Sequence, residues 1–552
     1  MYSKVYSGTW EGIEGILVQV EADISNGLPV FEMVGYLSTE VKEAKKRVRT
    51  ALKNQGYLLP PKRITVNLAP GHLRKSGSVY DLAIGISVLI AGGFIRNLKE
   101  PILFLREMGL DGSVKGVQGV LPIVLKAREE GIRICIIPKS NQKEAEIAKD
   151  VCCIGVASLE EVITIFRKCE AADDYSELVE YYGDLKEIED AADIEESQSK
   201  NWPVGMKKND SDGVKKDDSN RVKWKNSDGV KRKKELDFAD IKGQTLAKRA
   251  LEIAVSGHHN LIMSGSPGSG KSALAKRIPS IMPELSYDEK LEITRIYSVS
   301  GKLAESVEII EQRPYRAPHH SITTAALIGG GGNAEPGEIS LAHKGILFLD
   351  ELPEFKRDVL DMLRQPLEDG KIVVSRNRRT CIYPADFMLV AAMNPCPCGY
   401  YPNRQKCFCS ENQIRKYQEK ISGPLLDRID MSVSVQPVSF KTIKSERQEE
   451  SSEQIRKRVE RTRAIQSERY QKESFHVNAN LTENGIKKYC HLSQENEDWL
   501  ESFVDQNDMT YRGYVRILKL ARSIADMEEA ENIEERHLTE AIMFRMGWNY
   551  ES

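Results

Sequence analysis

The sequence predicts an α/β fold with two α/β domains and a helical domain at its end. Three observations predict it. Short apolar segments alternate with helical segments over the first 170 residues, a glycine-rich segment joins an apolar strand to a helix near the middle, and the pattern is helical from residue 441. A chain of 552 residues is long enough for about three domains.

The composition is that of an ordinary globular protein, with 40% hydrophobic and 29% charged residues. Because the net charge is only −3, any binding to nucleic acid must come from local basic patches. The first residues do not resemble a signal peptide, and the longest apolar stretch, residues 82–95, is better explained as a buried helix than as a membrane span. Ten cysteines without a secretory signal favour a reducing compartment. We expect a cytoplasmic protein without membrane contact.

Residues 1–170 are expected to form a compact α/β domain. Its strands include the apolar segments 15–24, 63–70 and 132–138, and "STEVKEAKKRVRTALKNQG" has the spacing of an amphipathic helix. Strands and helical stretches that alternate in this way are typical of an α/β domain.

Residues 171–235 are expected to form a disordered linker. An acidic run is followed by a basic segment in which "SDGVKK" at 211–216 is echoed as "SDGVKR" at 227–232. Few large apolar residues are present to offset the entropy of ordering this segment. We interpret it as a solvated spacer, and contact of its basic half with nucleic acid is the alternative. A second α/β domain (236–440) and a helical domain (441–552) follow.

The segment "GSPGSGKS" fits the phosphate-binding pattern G-x-x-x-x-G-K-S, and it lies between the apolar strand "HNLIMS" and the helical segment "SALAKRIPSIM". Backbone N–H groups of such a loop converge on phosphate oxygens. Lys271 is expected to reach the β- and γ-phosphates, and Ser272 to bind Mg²⁺. The loop comprises Gly265, Ser266, Pro267, Gly268, Ser269, Gly270, Lys271 and Ser272.

Two acids follow the apolar run "GILFLDE", at the predicted C-terminal end of a buried strand. Asp350 is expected to hold Mg²⁺, and Glu351 to polarise the attacking water. A further strand, "FMLVAAMN", ends in Asn394, where an amide would sense the γ-phosphate and position that water. An acidic strand end without a catalytic role is the alternative for Asp350 and Glu351.

Two arginines complete the predicted catalytic set. Arg428 in "SGPLLDRID" stands at a predicted helix end, where it is either a surface ion-pair residue or, in a ring ATPase, a group that reaches the neighbouring subunit's site. Arg512 opens a helix of the last domain and is expected to contact the phosphates, with Arg516 as its rival.

In this order, these motifs resemble those of AAA+ ATPases. The segment "RPYRAPHHSITTAALIGGGGNAEPGEISLAHKGILFLDELPEFKRDVLDMLRQPLEDGKI" resembles the magnesium-chelatase-like AAA+ proteins of the ComM/YifB type. The flanking segments "AAMNPCPCG", "ISGPLLDRID" and "YVRILKLARSIADME" fit the same family. The resemblance covers nearly the whole chain outside residues 171–235.

This resemblance implies an AAA+ P-loop ATPase core with a helix-2 insert and a pre-sensor hairpin, and an α-helical C-terminal lid. It further implies that ATP and Mg²⁺ are the cofactors and that the protein forms homo-hexamers. It also implies that the protein is a DNA helicase that promotes branch migration on branched or single-stranded DNA during competence. By carry-over, Lys271, Ser272, Asp350, Glu351, Asn394, Arg428 and Arg512 take the roles given above. A motor that remodels a protein partner or assists metal insertion, as in magnesium chelatase, is the alternative. A regulatory ATPase switch without translocation is a third.

The N-terminal domain resembles the ribosomal-protein-like α/β fold shared with Lon protease and RadA. Lon uses a Ser–Lys dyad, but here Val79 aligns with the nucleophile, and Leu121 or Pro122 with the lysine. Without both partners no nucleophile is activated. We therefore expect a non-proteolytic adaptor domain.

The segment "EDGKIVVSRNRRTCIYPADF" is expected to form a β-hairpin that carries Arg376, Arg378 and Arg379 at its turn. In a ring, these arginines would project into the pore and contact DNA phosphates, whereas an exposed charged hairpin without a ligand is the alternative. The glycine-rich segment 327–338 is expected to be a flexible loop. His319 and His320 are adjacent and are expected to have a structural or nucleotide-coupling role rather than to bind a metal.

Four cysteines directly follow Asn394 in the sequence. They are Cys396, Cys398, Cys407 and Cys409. Zn²⁺ accepts four thiolates in a tetrahedron, and a site of this kind leaves no open position for catalysis. Three interpretations stay open: a structural zinc site, free thiols, and a reversible disulfide.

Overall fold

A computed structural model describes residues 2–96, 100–169, 236–304, 309–331, 334–376, 379–444 and 448–546. The predicted linker lies outside these residues. Two compact units divide the described chain: the first contains the residues up to 169 together with the segment 297–309, and the second contains the remainder. No helix of the described residues is long and apolar enough to cross a membrane.

The first unit contains a mixed seven-stranded sheet in the order β3-β4-β2-β1-β5-β8-β9. Strands β1, β2 and β4 pair antiparallel, whereas β3, β5, β8 and β9 join in parallel pairs. The strands of this unit are β1 (Tyr2–Glu11), β2 (Glu14–Ser25), β3 (Val30–Val34), β4 (Arg63–Ala69), β5 (Ile102–Phe104), β6 (Glu107–Met108), β7 (Val114–Lys115), β8 (Ile134–Pro138) and β9 (Cys152–Val156). Strands β6 and β7 form a separate antiparallel pair.

Within the described residues of this unit, five helices accompany the sheet: α1 (Thr39–Asn54), α2 (Asp81–Ala91), α3 (Val120–Glu129), α4 (Gln142–Glu146) and α5 (Leu159–Cys169). Helix α1 begins where the hydroxyl of Ser38 accepts a hydrogen bond from the N–H of Val41. Every residue of α2 is buried, so the long apolar stretch is a core helix, as predicted.

The second unit is built on a five-stranded sheet in the order β11-β14-β17-β10-β18, in which all pairs are parallel. Parallel strands end at one edge of a sheet, and this edge carries the polar residues discussed below. The strands of this region are β10 (Leu261–Ser264), β11 (Tyr315–Arg316), β12 (Gly329–Gly330), β13 (Glu335–Pro336), β14 (Ile346–Leu349), β15 (Lys371–Arg376), β16 (Arg379–Pro384), β17 (Met388–Met393) and β18 (Met431–Ser434).

From residue 236 onward the helices are α6 (Thr245–Gly257), α7 (Lys271–Ala275), α8 (Tyr287–Val299), α9 (Thr324–Ile328), α10 (Glu338–Leu341), α11 (Arg357–Asp361), α12 (Arg364–Asp369), α13 (Glu411–Gln418), α14 (Gly423–Leu426), α15 (Phe440–Lys444), α16 (Ser452–Arg469), α17 (Glu483–Tyr489), α18 (Gln494–Gln506), α19 (Tyr511–Met527) and α20 (Glu535–Met546). The sheet and the C-terminal helices share one hydrophobic core, in which Leu261 and Val390 belong to the same cluster as Ile517 and Phe544. The predicted domain boundary at residue 440 therefore stays a prediction.

Two elements differ from what the sequence predicts. Helix α7 ends at Ala275, and a short 3₁₀ turn over Ile278–Ile281 replaces the expected continuous helix, because Pro279 has no N–H to donate. The glycine-rich segment was expected to be a flexible loop, but β12 and β13 form an antiparallel pair there. Glycine permits this approach, since a Cβ at Gly337 would lie 2.4 Å from the backbone N of Gly329.

Candidate functional site

The glycine-rich loop lies between β10 and α7, as the sequence predicts. Gly268 and Gly270 have φ values of 75° and 99°, which a residue with a Cβ rarely adopts. A Cβ at Gly265 would lie 2.2 Å from the carbonyl oxygen of Val435. The loop borders a cavity of about 360 Å³. The residues that line this cavity are Pro267, Gly268, Ser269, Gly270, Lys271, Ser272, Ala273, Asp350, Glu351, Met393 and Asn394.

Lys271 is buried, and three oxygens accept hydrogen bonds from its ammonium group. The Nζ atom lies 2.6 Å from the carbonyl oxygen of Gly265, 3.1 Å from that of Ser266, and 3.3 Å from Oδ1 of Asn394. Burial lowers the pKa of this ammonium group. The lysine and the asparagine, 123 residues apart, thus meet at the edge of the sheet.

The two acids after β14 lie beside the serine of the loop. The hydroxyl of Ser272 donates a hydrogen bond to Oδ2 of Asp350 over 2.6 Å. Hydroxyl and carboxylate oxygens are ligands that Mg²⁺ prefers. Glu351 follows with a positive φ of 53°, a strained conformation for a residue with a side chain. Its carboxylate is half exposed and borders the same cavity as Lys271.

His320 lies next to Glu351, and the sequence did not predict this contact. Its Nδ1 atom lies 3.5 Å from Oε2 of Glu351, and its ring packs against that of His319 with centroids 4.0 Å apart. The sequence predicts a structural or nucleotide-coupling role for the two histidines, but spacing alone could not pair either with Glu351. Their role stays a prediction.

Arg428 and Arg512 lie in a second cavity of about 960 Å³, and neither lines the cavity of the glycine-rich loop. The guanidinium of Arg428 pairs with Glu368 and donates to the carbonyl oxygens of Arg364 and Pro424. Arg512 is exposed. The predicted contact of Arg512 with phosphates stays a prediction.

Arg516, the rival of Arg512, is held in an ion pair with Asp430. Burial alone would raise the pKa of Asp430, but Arg516 and His259 hold it well below its ordinary value. This pair joins helix α19 to the residue before β18. Arg512, by contrast, is exposed. The choice between the two arginines stays a prediction.

The comparisons with known proteins identify the family. The family model described as "Magnesium chelatase, subunit ChlI" matches residues 237–443, "Subunit ChlI of Mg-chelatase" matches 20–141, and "Magnesium chelatase, subunit ChlI C-terminal" matches 449–545. The chain is 38% identical to the competence protein ComM of Haemophilus influenzae, over 98% of this chain and 97% of that protein. This chain is a member of the magnesium-chelatase-like AAA+ family of the ComM/YifB type.

Other relatives support the same assignment. The uncharacterised protein YifB of Escherichia coli is 38% identical over 98% of this chain and 97% of its own length. The magnesium-chelatase 67 kDa subunit of Chlorobaculum tepidum is 27% identical over 37% of this chain and 27% of its own length. The predicted fold class, an AAA+ core with a helical C-terminal region, is confirmed.

The predicted arginine hairpin is present in this family member. Strands β15 and β16 pair antiparallel over their full length, and Arg376 lies opposite Arg379 in the last pair before the turn. Arg378 lies outside the described residues. The backbone thus holds two of the three arginines at one end of a hairpin, and their contact with DNA stays a prediction.

The four cysteines that follow Asn394 come together in space. Their sulfur atoms all lie within 4.8 Å of one another. Cys396 and Cys407 are buried, whereas Cys398 and Cys409 are half-buried. Spacing in the sequence had suggested such a cluster, and it is the one group of this kind within the described residues.

Among the described residues, no Ser–Lys pair forms at the positions that align with the Lon dyad. Val79 is half-buried, and Leu121 and Pro122 are buried in α3. The hydroxyl of Ser78 donates to the carboxylate of Glu107 instead. The non-proteolytic assignment of this unit stays a prediction.

Proposed function

We propose that this protein is an ATP-driven ring motor that acts on DNA and promotes branch migration while incoming DNA is recombined. The observation that carries this proposal is the assembly of Lys271, Ser272, Asp350, Glu351 and Asn394 around one cavity. The chain is similar over its length to a protein named for competence. DNA taken up by a cell is recombined in the cytoplasm, and we therefore propose that location.

In the proposed reaction, ATP binds with its phosphates on the glycine-rich loop. Ser272 and Asp350 would hold Mg²⁺, which would neutralise charge on the phosphates. Lys271 neutralises charge on the β- and γ-phosphates, and Asn394 orients the γ-phosphate and the attacking water. Glu351 accepts a proton as that water attacks the γ-phosphorus. The bond from this phosphorus to the oxygen of ADP breaks, and ADP and phosphate leave.

The positions of the two arginines support a ring. Arg428 and Arg512 share one cavity, away from the phosphate loop of their own chain. In the proposed homo-hexamer this cavity faces the phosphates of the neighbouring subunit, where the guanidinium groups stabilise charge in the transition state. Hydrolysis in one subunit is thereby coupled to the position of the next.

The hairpin supplies the proposed DNA contact. Six copies of Arg376, Arg378 and Arg379 would form a ring of positive charge around a central strand. Because the whole chain carries a net charge of only −3, such a local patch is needed for binding to phosphates.

A motor that remodels a protein or assists metal insertion is the second candidate. The partial similarity to a magnesium-chelatase subunit favours it. That similarity covers 37% of this chain, whereas the similarity to the competence protein covers 98%. The DNA motor is therefore the better supported of the two.

A labelled four-way DNA junction tests the proposal. The full-length protein with ATP and Mg²⁺ is expected to move the branch and release labelled duplex products, and Glu351→Gln is expected to bind the junction without moving it. If the wild type neither moves nor binds branched or single-stranded DNA at low salt, the DNA proposal is wrong. ATP hydrolysis that continues under those conditions would favour the second candidate.

A further inference from the structure

The loop between β17 and α13 contains an arrangement of sulfur atoms that the proposed motor does not use. The Sγ atom of Cys396 lies 3.3 Å from that of Cys398 and 3.7 Å from that of Cys407, and the last two lie 3.5 Å apart. Tetrahedral zinc with Zn–S bonds of about 2.3 Å places its sulfurs about 3.8 Å apart. The cluster therefore has the size of a site for a single ion.

The loop has only a small apolar cluster to support it. Residues 395–410 contain no helix or strand, and the buried cluster around the cysteines adds Ile414, with Tyr401 packed against it. Loops of this length without secondary structure are uncommon and are usually either functional or disordered. The cysteines are free thiols rather than disulfides in the structure, which leaves all four sulfurs available to a metal.

The surrounding backbone also suits thiolate ligands. The N–H of Tyr401 points at the sulfur of Cys396 over 3.4 Å, and the N–H of Gly399 donates to the carbonyl oxygen of Cys396 over 2.9 Å. A hydrogen bond to sulfur stabilises a metal-bound thiolate. At the other end of the loop, Ser410 caps helix α13 in a capping box, which fixes the chain directly after Cys409.

The turn that carries the first two cysteines touches the phosphate loop. Gly399 has a φ of 83°, and a Cβ at this position would lie 2.4 Å from Cδ of Pro267. Pro395 connects Asn394 to Cys396, and its carbonyl oxygen accepts a hydrogen bond from Gln418 over 3.2 Å. The position of this turn therefore determines how closely the phosphate loop is packed from one side.

We propose that Cys396, Cys398, Cys407 and Cys409 bind one Zn²⁺ ion in a closed tetrathiolate site that braces the phosphate loop through the contact of Gly399 with Pro267. Four thiolates fill the coordination sphere, so the ion has a structural role. The bracing half of this proposal rests on the proposed ATP site. The zinc half does not.

Metal analysis of the full-length protein, purified without chelators, tests the zinc half. One zinc per chain is expected, and replacement by Co²⁺ should give the intense visible bands and thiolate charge-transfer bands of tetrahedral sulfur ligation. Cys407→Ser should lose the metal, whereas Cys490→Ser, which removes a buried thiol elsewhere, should keep it. Absence of zinc from the wild type, iron in its place, or a disulfide among the four cysteines would overturn the site.

Measurements of ATP binding test whether the cysteine loop supports the phosphate loop through the contact of Gly399 with Pro267. Gly399→Ala keeps all four cysteines but places a methyl group against Pro267. We expect it to retain zinc and to weaken ATP binding about tenfold, a loss of about 1.4 kcal/mol. Cys407→Ser should weaken ATP binding as well. If both variants bind ATP as the wild type does, the brace is wrong. If the wild type itself binds no ATP but contains zinc, the proposed function fails and the zinc site stands.

Discussion

Lys271 is buried, and two carbonyl groups and the Asn394 amide oxygen accept hydrogen bonds from it. Lys271→Ala removes the charge that would meet the β- and γ-phosphates. We expect ATP turnover to fall by at least about a hundredfold, since loss of one such charged donor typically costs this much. Binding of a fluorescent ATP analogue and phosphate release would measure it.

Lys276→Ala is the matched control for this variant. Lys276 lies five residues further on, is exposed, and does not line the cavity. It should leave ATP turnover unchanged. Equal turnover in Lys271→Ala and the wild type would contradict the assigned role.

The side chain of Glu351 is exposed, its backbone is strained, and His320 lies beside its carboxylate. This arrangement suits a residue that moves during the ATPase cycle. Glu351→Gln removes the proposed base but preserves its shape. ATP should still bind, whereas turnover should fall about a hundredfold or more. Single-turnover experiments with radiolabelled ATP would show nucleotide trapped on the protein.

Glu354→Gln provides the comparison, because Glu354 lies three residues further on and its carboxylate faces Lys420 instead. Turnover in this variant should match the wild type. A Glu351→Gln protein that hydrolyses ATP at the normal rate would exclude this glutamate as the base.

At the level of elements, the strands around the site could be predicted because each is an apolar run that ends in polar residues. The segments before Gly265, Asp350 and Asn394 all have this form, and the structure forms β10, β14 and β17 from them. The order of those strands could not be predicted, because it depends on pairing between segments far apart in the chain. Their adjacency is what brings Lys271 to Asn394.

Other contacts at the site could not be predicted, because they depend on three-dimensional packing between segments that are far apart in the sequence. His320 and Glu351 are 31 positions apart, and only the fold brings their side chains together. A flexible loop was expected for the glycine-rich segment, but glycine there also permits two backbones to approach closely at Gly329 and Gly337. That Arg512 and Arg428 line one cavity also depends on the fold, because these residues are far apart in the chain.

The arginine hairpin yields a prediction at the same level. Combined Arg376→Ala and Arg379→Ala substitutions should weaken binding of single-stranded DNA and make it less sensitive to salt. For each DNA phosphate that the protein no longer binds, the slope of log K against log salt should become shallower by about 0.7. Fluorescence anisotropy at several salt concentrations would measure this slope.

Lys371→Ala is the control for the hairpin, because Lys371 begins β15 at the opposite end from the arginines. Lys371 is exposed and basic, so this variant tests whether any positive charge on the hairpin contributes equally to DNA binding. An unchanged slope in the double variant, or an equal change in Lys371→Ala, would show that the arginine end does not bind the strand.

For the whole molecule, the ring hypothesis predicts that two inactive variants can complement each other. Lys271→Ala keeps Arg428, and Arg428→Ala keeps the phosphate loop. In a random equal mixture, about a quarter of the interfaces in a ring combine an intact lysine with an intact arginine from the neighbour. Phosphate release should therefore recover in the mixture, in the presence of ATP.

Recovery would also separate the two roles of Arg428. If Arg428 serves only the ion pair with Glu368 and the packing of its own chain, the mixture should stay as inactive as its components. Arg428→Lys, which keeps a charge but loses the planar donor group, should bind ATP and hydrolyse it slowly.

Stimulation of ATP hydrolysis by DNA tests the central claim most directly. Phosphate release by the full-length wild type would be measured against increasing single-stranded and branched DNA, with an acidic polymer of similar charge density as the control. The account predicts that both DNAs raise the hydrolysis rate and that the acidic polymer does not. Hydrolysis that proceeds at one rate with every addition would contradict it.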